Sequence, residues 1–138
     1  MALPNEDTIK KIIDGDTKEL VKVAEILGNR WGKELDSKKK GGTERNDERL
    51  SRSQIRNVFS SVKKIEMHGF KGKEGDFLLL KPKLAYAAGR PNKTKGIIEL
   101  KNLFSLVIDH VESDENRFKN FCDFFEAILA YHRAAGGK

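Results

Sequence analysis

The chain has 138 residues, 38% apolar and 35% charged, which fits one soluble globular domain spanning residues 1–138 and excludes a membrane-embedded protein or a chain disordered throughout. Its formal charge of +6 is unevenly spread: residues 37–98 hold 16 cationic and 6 anionic side chains, against 6 and 8 in residues 1–36 and 5 and 7 in residues 99–138. Polyanion binding follows local charge density, so the basic middle matters more than the average. Cys122 is the only cysteine, which rules out an internal disulfide or a cysteine-based zinc site and fits a reducing compartment. No stretch approaches the roughly 20 apolar residues of a membrane helix, and the opening MALPNEDTIKK lacks the apolar run of a secretory leader. A cytoplasmic location without membrane contact is expected.

Apolar residues recur every three or four positions and seldom alternate, which predicts an all-α bundle of five or six helices. Ile9, Ile12 and Ile13 belong to a short first helix that breaks at Asp14-Gly15-Asp16. Asp16 and Glu19 have capping-box spacing for a longer second helix carrying Leu20, Val23, Ile26, Leu27 and Trp31. The stretch 36–48 has no apolar residue and contains Lys38-Lys39-Lys40-Gly41-Gly42, so a flexible basic loop is expected there.

A third helix is predicted from Ser51, capping the amide of Gln54, to about Met67, with Ile55, Val58, Phe59, Val62 and Ile65 as its apolar stripe. At about 100° per residue, Arg52, Arg56 and Lys63 share one face beside that stripe. Gly69, Gly72 and Gly75 read as a mobile connection, followed by helix-forming residues from Phe77 to Ala88. Pro82 within that run either kinks the helix or stands in its first turn. After Gly89-Arg90-Pro91-Asn92, a broadly apolar helix is expected from Thr94 to Val111, central in the fold. A last helix, capped by Ser113, carries Phe118, Phe121, Phe125, Ile128 and His132 and ends at Gly136-Gly137.

Catalytic and metal motifs need fixed spacings, because their groups must converge on one atom. None occurs here: His68, His110 and His132 are isolated, and the Gly69–Gly75 run lacks phosphate-loop spacing. Cys122, on the phenylalanine face, reads as a buried thiol. No enzyme activity, cofactor or metal is expected. The cationic middle stands above this background, and Arg52, Arg56, Lys63, Lys81, Lys83, Arg90 and Lys93 are its candidates for phosphate contact. Bland roles compete: Arg56 pairing at the core rim, and Lys81 and Lys83 exposed simply because a helix starts at Pro82.

Three segments carry a resemblance: Ser53-Gln54-Ile55-Arg56, then Leu80-Lys81-Pro82-Lys83-Leu84-Ala85-Tyr86-Ala87-Ala88-Gly89-Arg90, then Phe124-Phe125-Glu126-Ala127-Ile128-Leu129-Ala130-Tyr131-His132-Arg133. Together, over about residues 45–135, the chain resembles the small subunit of the type III-A CRISPR interference (Csm) complex. The resemblance implies an all-helical, non-catalytic subunit stacked in several copies as an inner filament. Its implied partners are the backbone and large subunits of the complex, and the CRISPR RNA and target RNA, touched through basic side chains. Arg56, Lys81, Lys83, Arg90 and Arg133 fall within the matching segments, and Tyr86 reads as packing or a subunit contact.

The rival reading is a helical assembly module whose basic face meets acidic protein and not RNA. Self-association is also expected, as a dimer or weak oligomer with exchanged helices hinged at 36–48 and 69–76.

Overall fold

The structure, a computed structural model, describes residues 4–32, 50–91 and 93–136. Its helices are α1 (Glu6–Ile13), α2 (Thr17–Gly32), α3 (Arg52–His68), α4 (Glu74–Leu78), α5 (Leu80–Ala88), α6 (Lys95–Val111) and α7 (Glu115–Ala134). No strand occurs among the described residues, so the all-α expectation holds. Among the described residues the segments number seven because the helix expected over Phe77 to Ala88 is divided at Leu79. Pro82 is the third residue of α5, where its missing N–H costs no helical bond. Of the two alternatives for this proline, the structure has the first-turn placement. The loop expected at 36–48 lies outside the described residues.

Helix starts follow local chemistry. Asn5 accepts from the Thr8 amide at 2.8 Å, and Asp16 accepts from the Glu19 amide at 3.1 Å. Ser51 and Gln54 form a full capping box, each side chain bonding the other's amide at 3.0–3.1 Å. The last helix departs from expectation. Asp114, not Ser113, is its cap, and its carboxylate accepts from the amides of Asn116 and Arg117 at 2.9 and 3.1 Å. A carboxylate answers both the unpaired amides and the positive end of the helix dipole.

The most extensive contact is α2 on α7, and glycine permits it. A Cβ at Gly28 would overlap the Tyr131 Cβ and come within 2.8 Å of the His132 amide nitrogen, and one at Gly32 would overlap the His132 carbonyl oxygen. With Ala24 they form a small-residue stripe at four-residue spacing, against which α7 lies backbone to backbone. Around this contact the phenylalanines interlock. Phe104 packs edge-on against Phe121 and Phe125 at 5.1 Å, and Phe77 reaches Phe118 at 5.2 Å.

The Gly69–Gly75 segment is more than the loose connection expected. Phe70 is buried and stacks on Phe118 with ring centroids 4.4 Å apart, and α4 already begins at Glu74. One aromatic between two glycines anchors the crossing, and glycine-based reading overlooks it.

Two polar clusters tie distant elements together. Asp14, after α1, accepts from His110 at 2.9 Å and forms an ion pair with Arg117 at 3.1 Å, while Asn120 donates to the Ile13 carbonyl at 2.8 Å. Deeper, Glu99 of α6 is 6% exposed and accepts from Arg30 at 2.6 and 2.9 Å and from the Trp31 indole at 3.0 Å. Burial alone would raise this carboxyl, but the Arg30 and Trp31 hydrogen bonds, with the charges of Arg30 and Lys95, hold it below its ordinary value.

Two outcomes follow. Gly28→Ala should destabilise the fold by about 1–3 kcal/mol through overpacking, read as a lower Tm by circular dichroism. Glu99→Gln should cost about 3 kcal/mol near neutral pH by removing the buried carboxylate that accepts from Arg30 and Trp31. Because the folded carboxyl is depressed, its contribution is present above the unfolded value near 4.5 and is lost as pH falls through the folded value. The stability gap between wild type and Glu99→Gln should therefore shrink on acidification below about pH 4.5, measured by urea unfolding from pH 7 to 3.

Candidate nucleic-acid interface

The capping box at Ser51 starts α3 so that Arg52 and Arg56 stand one turn apart, followed by Phe59 and Lys63 along the same side. That side faces α7. Between them lies a cleft of about 300 Å³ whose lining includes Arg52, Arg56, Phe59, Glu126, Leu129 and Arg133. Arg133 is brought here because it follows Glu126 and Leu129 at helical spacing on α7. All three arginines are exposed, and none of their guanidiniums has a hydrogen bond or ion pair among the described residues.

His132 also lines this cleft, but its ring is committed inward. It is 1% exposed, and its Nε2 lies 2.7 Å from the Leu50 carbonyl oxygen. A carbonyl only accepts, so Nε2 carries the proton and donates. The Leu50 amide in turn donates to the Trp31 carbonyl at 2.8 Å. The histidine thereby pins the residue just before the Ser51 cap of α3, and with it the start of the arginine pair.

The other candidates divide. Lys63 donates to Glu66 at 2.8 Å and lies 5.6 Å from the centroid of the Phe59 ring. The Glu66 hydrogen bond raises its ammonium above the ordinary value, and charge is retained. Lys81 is tied to Asp109 of α6 at 2.6 Å, an exposed pair bracing α5 against α6. Lys83 and Arg90 line a second cavity, of about 220 Å³, on the opposite side of α3, between α3 and α5. The Arg90 guanidinium lies 5.5 Å from the centroid of the Tyr86 ring, and Tyr86 is 72% exposed, so it is not packed within this chain. Lys93 is exposed just beyond, its amide donating to the Arg90 carbonyl at 3.2 Å.

The candidates thus fall into two clusters, Arg52 and Arg56 on one side of α3 and Lys83 and Arg90 on the other. Arg133 joins the first; its only sequence signals are the third matching segment and its register with Glu126 and Leu129. Cys122 is buried, and burial first, then the Glu66 carboxylate, pushes its thiol far above the ordinary range.

Among the described residues, no group of three or more His, Cys, Asp or Glu side chains is placed to hold a metal ion. Nor is any of the described helices long and apolar enough to cross a membrane.

Fold and surface define a small all-α protein whose most distinctive feature is cationic clefts between helices. A family model described as Csm2 Type III-A matches residues 14–138, and the chain belongs to that family, as a subunit of a type III-A CRISPR effector complex that assembles with other Csm subunits. The match reaches further toward the N-terminus than the resemblance over residues 45–135, taking in α2 and leaving α1 outside. No curated protein and no solved structure matches the chain.

The state of Cys122 is checkable. In native protein at pH 8 the thiol should resist a water-soluble disulfide reagent over many minutes, and should react at once in guanidinium, when burial no longer suppresses the thiolate.

Proposed function

We propose that this chain is a non-catalytic, single-domain small subunit that works in the cytoplasm, stacks with copies of itself in the inner filament of its effector complex, and contacts the guide RNA–target RNA duplex. The observation that supports this reading is the cleft of Arg52, Arg56 and Arg133, with no internal partner among the described residues, in a member of the Csm2 family. Cations satisfied within the fold gain little from a phosphate, whereas three unpaired guanidiniums can each take one bidentately. Lys83, Arg90 and Lys93 widen the positive field beyond the cleft. Lys63 and Lys81 contribute charge at a distance while they hold Glu66 and Asp109.

Base pairing reads sequence in an RNA-guided complex, so the subunit needs only to recognise a backbone and its shape. Sequence-independent contact through a few arginines suffices, with no chemical step of its own.

Fluorescence anisotropy with a short labelled RNA duplex and with single strands, at salt from about 50 to 300 mM, tests the reading. Binding should fall linearly in log–log form with salt and show no sequence preference. Each of Arg52→Ala, Arg56→Ala and Arg133→Ala should lower the slope by about 0.7 to 0.9, and the triple variant should lose binding with an unchanged circular dichroism spectrum. Full binding by the triple variant would sink this assignment.

A further inference from the structure

On the far side of α3 from the arginine cleft, α3 and α5 flank a trough. Each packs mainly on other elements, α3 on α7 and α4, and α5 on α6 and α4. The cavity holding Lys83 and Arg90 shares Ser61, Leu80 and Lys83 with an adjoining one of about 190 Å³ that reaches Lys64 and Leu79. From Leu80 to Ala87 the trough follows α5 for about 10 Å, and Arg90 extends it past the end of that helix.

Its walls are chemically unlike. The floor is aliphatic, made by Val58, Leu80, Leu84, Ala87 and Ile97. The α3 rim is neutral along Gln54, Asn57 and Ser61 and ends in Lys64, whereas the facing rim carries Lys83 of α5 and Arg90 just past it. The lining's one carboxylate, Asp76, lies 3.8 Å from Lys73. At that end Leu79 is 56% exposed, a large apolar side chain left in water.

We infer that this trough docks an amphipathic helix of another protein subunit, about three turns long, with an aliphatic stripe on the floor and carboxylates facing Lys83 and Arg90. Lining residues recur at three and four positions on both walls, as Leu80, Leu84 and Ala87 and as Gln54, Asn57 and Ser61, which is the register a helix laid along them meets. The asymmetric rim sets its orientation: acidic side toward α5, neutral side toward α3.

An RNA strand fits less well. The floor has no aromatic to stack a base, and along the larger cavity only the rim of Lys83 and Arg90 is cationic. A second copy of this chain also fits poorly. Its large exposed apolar side chains among the described residues are Val21, Met67, Leu78, Leu79 and Tyr86, which form no stripe bordered by carboxylates on any described helix. The inference rests on membership of a multi-subunit complex, and it stands apart from the RNA contact assigned to the arginine cleft.

Photocrosslinking in the assembled complex tests it. p-Benzoylphenylalanine replaces Asn57 or Ser61 on the neutral rim, and in a separate arm Ala130 in the arginine cleft. Irradiation of the Asn57 and Ser61 variants should give products mapping to one segment of another protein subunit, with helically spaced apolar residues and Asp or Glu on one flank. Lys83→Glu with Arg90→Glu should lower that yield by about tenfold, through like-charge repulsion. Crosslinks to RNA, to another copy of this chain or within the chain, no crosslink, or a yield indifferent to charge reversal would overturn the proposal. The Ala130 arm reports RNA contact at the cleft independently, so failure of either reading is distinguishable from failure of the other.

Discussion

The backbone-to-backbone contact of α2 with α7 is the constraint from which the rest of the structure follows. Gly28 and Gly32 leave no room for a side chain beneath Tyr131 and His132, so the two helices meet closer than side-chain-mediated packing would allow. That closeness has two consequences. Between the glycines, Arg30 and Trp31 are carried to Glu99, linking α2 to α6. Above them, His132 is held where its Nε2–H meets the Leu50 carbonyl, and Leu50 in turn bonds Trp31. The start of α3 is therefore referenced to the α2–α7 pair through three hydrogen-bonded residues. Arg52 and Arg56 come beside Arg133 because of it, so the geometry of the cationic cleft depends on a packing contact deep in the bundle.

Much of this was legible in the sequence where the signal is local. Helical periodicity, the Ser51–Gln54 capping box and the breaks at Gly15 and Gly89 depend on residues a few positions apart, and those elements match. What escaped is what joins distant positions. Arg30 and Glu99 are 69 residues apart and neither stands out alone, so the buried pair has no periodic signature. Gly28 and Gly32 read as weak helix residues until α7 supplies the backbone that demands them. Phe70 is a single aromatic amid glycines and lysines, and its role appears only once Phe118 is opposite it. Ser113 and Asp114 are adjacent plausible caps, and one-residue choices of this kind are decided by the path of the incoming chain.

Charge shows the same division. The basic excess over residues 37–98 is a fact of sequence, but which cations are free to act is a fact of folding. Lys63 and Lys81 sit on the same stretches as Arg56 and Lys83, yet each is engaged by a carboxylate, Glu66 one turn along α3 and Asp109 on α6, 28 residues away. Exposed pairs of this kind contribute little to stability, but they reduce the field each cation projects. The unpaired guanidiniums are the ones with affinity left to give.

The two cationic clusters also differ in what surrounds the charge, and this decides what each can recognise. Around Arg52, Arg56 and Arg133 the cations outnumber their one carboxylate neighbour, Glu126, and come from both walls of the cleft. A phosphate backbone, charged along its whole length, is matched by cations on both sides. Around Lys83 and Arg90 the charge is confined to one rim of an aliphatic trough. Filling that trough with a bare polyanion would leave apolar floor against water and phosphates against a neutral wall, whereas an amphipathic helix satisfies floor and rim together. A single helix, α3, separates the two surfaces, presenting arginines to one and, to the other, amides and a hydroxyl that end in Lys64. Its register relative to α7, fixed through Leu50 and His132, therefore sets both surfaces at once.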